Sequence, residues 1–77
     1  MNAKLGGPSG RDVVRALLRA GFVLKRVKGS HHILVHPDER TRRTIVPVHG
    51  RANLKRGTLH GILKQAKLTE DELRALL

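Results

Sequence analysis

A chain of 77 residues supplies one small core and has no room for a second domain. It contains no cysteine, which excludes disulfides and thiolate zinc sites, and no apolar run near the ~20 residues that span a bilayer. Sixteen Lys and Arg against 6 Asp and Glu give a formal net charge of +10, a field that draws phosphate polymers or an acidic protein partner.

In chain order, residues 1–8 read as a flexible lead broken by Gly6, Gly7 and Pro8, and residues 9–77 as one domain. No signal-peptide apolar segment opens the chain, so the expected location is cytoplasmic. Ser9 and Asp12 have the spacing of a capping box and start a helix. Val13, Val14, Leu17 and Leu18 recur at helical spacing, Arg11, Arg15 and Arg19 fall on another face, and Gly21 ends the helix in a left-handed turn. Residues 22–28 alternate strand formers with Lys25 and Arg26. Gly29 and Ser30 make a tight turn, residues 31–36 form a second strand, and Pro37 stops it. A polar loop over 37–43 leads to a third strand over 44–48, where Pro47 marks a sheet edge or strand end. After a loop over 49–53 comes a second helix, with Thr58 expected as its cap and Leu59, Ile62, Leu63 and Ala66 as its apolar face. Thr69 and Glu72 form another capping box and open a short last helix with Leu73, Leu76 and Leu77 on its apolar stripe.

The expected order is therefore α-β-β-β-α plus a short C-terminal α. Short connections imply a three-stranded antiparallel meander, and helices packed on one face give an α+β two-layer fold with the other sheet face free.

The chemistry concentrates at Lys28-Gly29-Ser30-His31-His32, at the lip of the second strand. Histidine both takes and gives protons near neutrality, which suits work on RNA phosphodiesters. Adjacent strand residues point to opposite faces. Ile33 and Val35, on the side of His31, are the better core pair, so His32 is expected to point outward with Leu34 and His36. The plainer alternative is that His32 only begins a strand and bonds a backbone carbonyl. A metal site is not expected: on a strand, His32 and His36 stand roughly 13 Å apart, too far to share a zinc ion. His36, His49 and His60 are weak signals individually, with His49 ranked second because it follows the strand neighbouring His32.

Several blocks taken together resemble the YcfA/HicA family of toxins: Ser9-Gly10-Arg11-Asp12-Val13-Val14-Arg15-Ala16-Leu17, Gly21-Phe22, the Gly29-Ser30-His31-His32 element, Pro47-Val48-His49-Gly50, Leu54-Lys55-Arg56-Gly57-Thr58-Leu59 and Ile62-Leu63-Lys64-Gln65-Ala66. The resemblance runs from about Ser9 to Leu77. It implies a double-stranded-RNA-binding-domain-like fold and a metal-independent ribonuclease that cleaves messenger RNA. It also implies neutralisation by a HicB antitoxin and no cofactor. In such toxins a histidine of the Gly-Ser-x-His element is catalytic; the matching position here is His32, with His31 in the variable slot.

On that reading His32 is the general base or acid for attack by a ribose 2′-hydroxyl. Lys25, Arg26 and Lys28, on the preceding strand, hold phosphates, while Gly29 and Ser30 let the nucleic-acid backbone approach. His31, His49 and Lys55 complete the expected RNA-binding set. With Phe22 the single aromatic, base stacking has almost nothing to use, so contact should be to phosphate and ribose. Three other readings stand beside this one: a non-catalytic RNA-binding module, a structural partner for an acidic protein, and a DNA-binding helix-turn-helix over 58–66 and 69–77. Glu70, Asp71 and Glu72 make the last a poor groove reader.

Overall fold

The computed structural model describes residues 7–77. Most of the lead expected over 1–8 lies outside that range. The elements are α1 (Gly10–Arg19), β1 (Val23–Lys28), β2 (His31–Val35), β3 (Arg43–Pro47), α2 (Arg56–Ala66) and α3 (Glu70–Leu76). The α+β architecture is the expected one, with an antiparallel sheet in the order β1-β2-β3.

Local chemistry explains most boundaries. The Ser9 side chain accepts from the Asp12 N–H and the Asp12 carboxylate accepts from the Ser9 N–H, closing the capping box of α1. Gly21, at φ 98°, takes the left-handed conformation that turns the chain into β1. Thr69 and Glu72 form the same reciprocal pair at α3. Pro47 is the last residue of β3, an edge strand, where its missing N–H costs no ladder bond. The start of α2 departs from expectation. Lys55, not Thr58, is its N-cap, and no side chain bonds the exposed amides there. The helix begins one turn earlier because Leu59 N–H already reaches the Lys55 carbonyl at 2.9 Å.

One core joins the layers. Val13 and Leu17 of α1, Phe22 just before β1, Leu34 and Val46 of the sheet, and Ile62 and Ala66 of α2 form a continuous buried cluster. A smaller cluster of Ala16, Leu63 and Leu73 seats α3 on the other two helices. Polar ties fix α2 to the sheet side: Thr44 Oγ1, fully buried, donates to Gln65 at 2.8 Å, and Arg42 Nε donates to the Ala66 carbonyl at 2.7 Å. Lys67 bonds Glu39 at 2.8 Å, and that bond holds the Glu39 carboxyl below its ordinary range. No helix of the described residues is long and apolar enough to cross a membrane.

α1 approaches the end of β3 more closely than any side chain permits. A Cβ at Gly10 would run into the Pro47 carbonyl oxygen and crowd the Val48 backbone. Both are main chain, so neither can swing aside. Alanine gains at most about 1 kcal/mol in helix propensity, less than the overpacking it causes. Gly10→Ala is therefore expected to destabilise the fold by about 2 kcal/mol and lower the melting temperature by roughly 10 °C in a calorimetric scan. An unchanged melting temperature would mean that α1 does not need this approach.

Candidate nucleic-acid interface

The register of the sheet decides where the two histidines go. His32 lies opposite Val27 on β1 and Val46 on β3, while His31 lies opposite Lys28 and Pro47. Leu34, two residues beyond His32, is fully buried in the core beneath the helices. His32 therefore belongs to the helix-covered face and His31 to the open one. This corrects the expected outward orientation of His32. Ile33 is nearly as buried as Leu34, because a central strand is shielded on its open side by its neighbours, here Arg26 and Ile45. The aliphatic content of β2 therefore does not reveal which side holds the core.

His32 sits at the margin of that covered face, partly buried, in a cleft of about 220 Å³ between the sheet and α1. Val14 and Leu18 of α1 and Val48 beyond β3 give the cleft its apolar lining; Arg11 and Arg15 give it two guanidinium groups. Neither arginine makes an ion pair or a side-chain hydrogen bond among the described residues. The His32 Nδ1 is buried and no group among the described residues bonds it. An unpaired buried nitrogen is costly, about 1–3 kcal/mol, and such groups gather where function requires them. The cleft thus brings together a proton-transfer group, two uncommitted cations and an apolar wall.

The cations expected beside His32 are elsewhere. Arg26 and Lys28 pair with Ile33 and His31, so both project from the open face, away from His32. The physical reason is parity: Val27, not Lys28, lies across from His32. Lys25 is the extra residue of a bulge between Leu24 and Arg26 and is exposed. Gly29 has φ 61° in the turn, and the Ser30 carbonyl accepts from Val48 N–H at 2.7 Å, extending the β2–β3 ladder past the strands. His49 and Lys55 are exposed, in the loop after β3 and at the start of α2. Arg11 and Arg15 were legible as a basic helix face, but which strand that face overlooks depends on tertiary packing.

The remaining histidines have structural partners. His36 packs edge-on against Phe22, with ring centroids 5.3 Å apart, and its Nδ1 accepts from the Asp38 N–H. His60 Nε2 lies 2.9 Å from Glu70 Oε2 and ties α2 to α3. Among the described residues no three His, Cys, Asp or Glu side chains cluster as metal ligands.

Compared with known protein families, residues 10–68 match the family described as the HicA toxin of bacterial toxin-antitoxin. The match includes the whole sheet, α1 and α2, and stops before α3. No curated protein matches the chain.

The two faces make a chemical prediction. Carbethoxylation by diethylpyrocarbonate, followed by mass spectrometry, should modify exposed His31 before His32, whose Nδ1 is closed off. Equal rates at both would place the two rings in equivalent surroundings and contradict the cleft.

Proposed function

The chain belongs to the HicA toxin family of bacterial toxin-antitoxin systems, and from that premise we propose that it is a metal-independent ribonuclease that cleaves messenger RNA and is neutralised by a HicB-type antitoxin. The observation that carries the reading is the cleft in which His32 faces Arg11 and Arg15. It pairs a proton-transfer group with cations suited to a phosphodiester.

The reaction needs a base, an acid and charge stabilisation. His32 takes the proton of a ribose 2′-hydroxyl as that oxygen attacks the adjacent phosphorus. The bond to the 5′-oxygen breaks, and the leaving oxygen takes a proton from the imidazolium so formed or from water. The products are a 2′,3′-cyclic phosphate and a 5′-hydroxyl. Arg11 and Arg15 meet the charge that builds on the non-bridging oxygens, where guanidinium donors act in forked pairs. DNA has no 2′-hydroxyl and cannot follow this route. The Gly29–Ser30 turn, without bulk, lets the strand pass beside His32. Lys25, Arg26, Lys28, His31, His49 and Lys55 act at longer range, raising the local concentration of a polyanion rather than touching the scissile phosphate.

The test is RNA cleavage in EDTA. Wild-type protein is expected to cut, and His32→Ala to cut at least about 100-fold more slowly with RNA binding and melting temperature retained. Arg15→Ala should lower the rate at saturating RNA by about 10-fold or more. A substrate with deoxyribose at the cut site should resist cleavage. Equal cleavage by wild type and His32→Ala, or binding without cleavage by both, would instead identify a non-catalytic RNA-binding module.

A further inference from the structure

A second concave site lies on the other flank of α1. A groove of about 820 Å³ runs between α1, α2 and α3, with Arg15, Arg19, Arg56 and Arg74 on its rim and Leu59 and Leu73 among its apolar lining. Two acids border it, but each is engaged internally: Asp12 caps α1, and Glu70 bonds His60. Arg74 bonds Asp71, and Arg19 donates to the Leu76 carbonyl. Arg15 and Arg56 alone among the four rim arginines make no ion pair or side-chain hydrogen bond among the described residues.

Arg15 lines both this groove and the His32 cleft. The helical repeat explains why. Arg11, Arg15 and Arg19 recur every four residues, roughly 6 Å apart along the axis, and wind slowly around α1. Arg11 faces the cleft, Arg19 the groove, and Arg15 the boundary. The three form one cationic ladder from the proton-transfer site into the larger groove.

We propose that the groove is a second RNA subsite, holding the sugar-phosphate backbone of a strand whose scissile phosphate lies at His32, with Arg56 as its far anchor. The proposal rests on the ribonuclease reading. The leucines offer splayed bases an apolar surface without aromatic stacking, so the subsite adds affinity with little sequence preference. An acidic amphipathic peptide is drawn by the same side chains. Continuity with the cleft through Arg15 favours the nucleic acid.

The experiment compares wild type, Arg56→Glu and Arg56→Lys on two probes. The first is a fluorescent RNA of about 12 nucleotides, 2′-O-methylated throughout so that it cannot be cut, titrated by anisotropy across a range of salt. The second is a ribodinucleoside monophosphate, whose single phosphate is the scissile one and which has no flanking phosphate for the groove to hold. Arg56→Glu is expected to weaken binding of the long RNA by about 10-fold and reduce the salt slope by about one. Arg56→Lys should bind within about 2-fold of wild type, because a phosphate accepts a point charge. Dinucleotide cleavage should be the same in all three proteins.

Long-RNA binding by Arg56→Glu within about 2-fold of wild type would overturn the proposal. So would a parallel loss of dinucleotide cleavage, which would mark a damaged fold or a role at the scissile phosphate. Unchanged RNA binding with loss of binding to the cognate antitoxin would assign the groove to a peptide instead. Failure of the wild type to cut the dinucleotide counts against the ribonuclease reading, and the anisotropy titration still decides the groove.

Discussion

Along β3, Thr44 and Val46 are fully buried and Ile45 between them is exposed, and this alternation fixes the parity of the whole sheet. Antiparallel pairing then sets Leu34 opposite Thr44 and His32 opposite Val46, so both β2 side chains must turn toward the helices. Burying a leucine contributes about 2 kcal/mol or more. Leaving the His32 Nδ1 without a partner costs a similar amount. Leu34, Val46 and Thr44 act together on the same parity, so the core prevails and the histidine's unmet nitrogen is retained. A slip of one residue would bring His31 under α1 and carry Leu34 out to the open face. The position of His32 is therefore a consequence of core packing.

The same parity separates the basic residues into two populations. Arg26 and Lys28 accompany His31 on the open face, and Arg11 and Arg15 accompany His32 in the cleft. Cations on both sides attract a polyanion whichever way it approaches. Only the α1 side combines charge with concavity and a partly buried histidine. On the proposed reading, long-range attraction and local recognition fall to different side chains.

The punctuation of this fold was legible in the sequence. Ser9 with Asp12, Thr69 with Glu72, Gly21 and Pro47 act through bonds or dihedral limits within a few residues, and they fall where local chemistry puts them. Two things were not legible. The α2 start carries no side-chain cap, so Thr58 looked like a better beginning than Lys55; buried Leu54, its N–H bonded to the Pro8 carbonyl, and the bond from Leu59 N–H to the Lys55 carbonyl mark the earlier start. The facing of β2 was also hidden. In a three-stranded sheet the middle strand is shielded on both sides, so Ile33 and Leu34 are both apolar and both buried, and the run His-His-Ile-Leu-Val has no readable alternation. Burial alternates cleanly one strand away, in Arg43-Thr44-Ile45-Val46, but there it runs against hydropathy, with Thr44 buried and Ile45 exposed. Neither strand therefore carries a hydropathy pattern that would turn His32 toward α1 and pick out Arg11 and Arg15.

The charge imbalance of 16 against 6 understates the cationic surface. Five of the six acids are bound within the fold. Asp12 and Glu72 accept backbone amides at helix starts, Glu39 holds Lys67, Glu70 holds His60, and Asp71 holds Arg74. Three of these lie on α3, beyond the family match, where they cap that helix and face its own neighbours. Few basic side chains are neutralised in return: Lys67 and Arg74 form ion pairs, while Arg19 and Arg42 donate to carbonyls and keep their charge. Among the described residues Arg11, Arg15 and Arg56, around α1 and the start of α2, stay uncommitted. If RNA binds this surface as proposed, a partner that displaces it must bring its own carboxylates, because five of the chain's six acids are already held by caps and pairs whose loss would loosen α1, α3 and the loop before β3. On the proposed reading, inhibition by an acidic protein and binding of a polyanion depend on the same structural fact: the acids stabilise the fold and leave the arginines to a ligand.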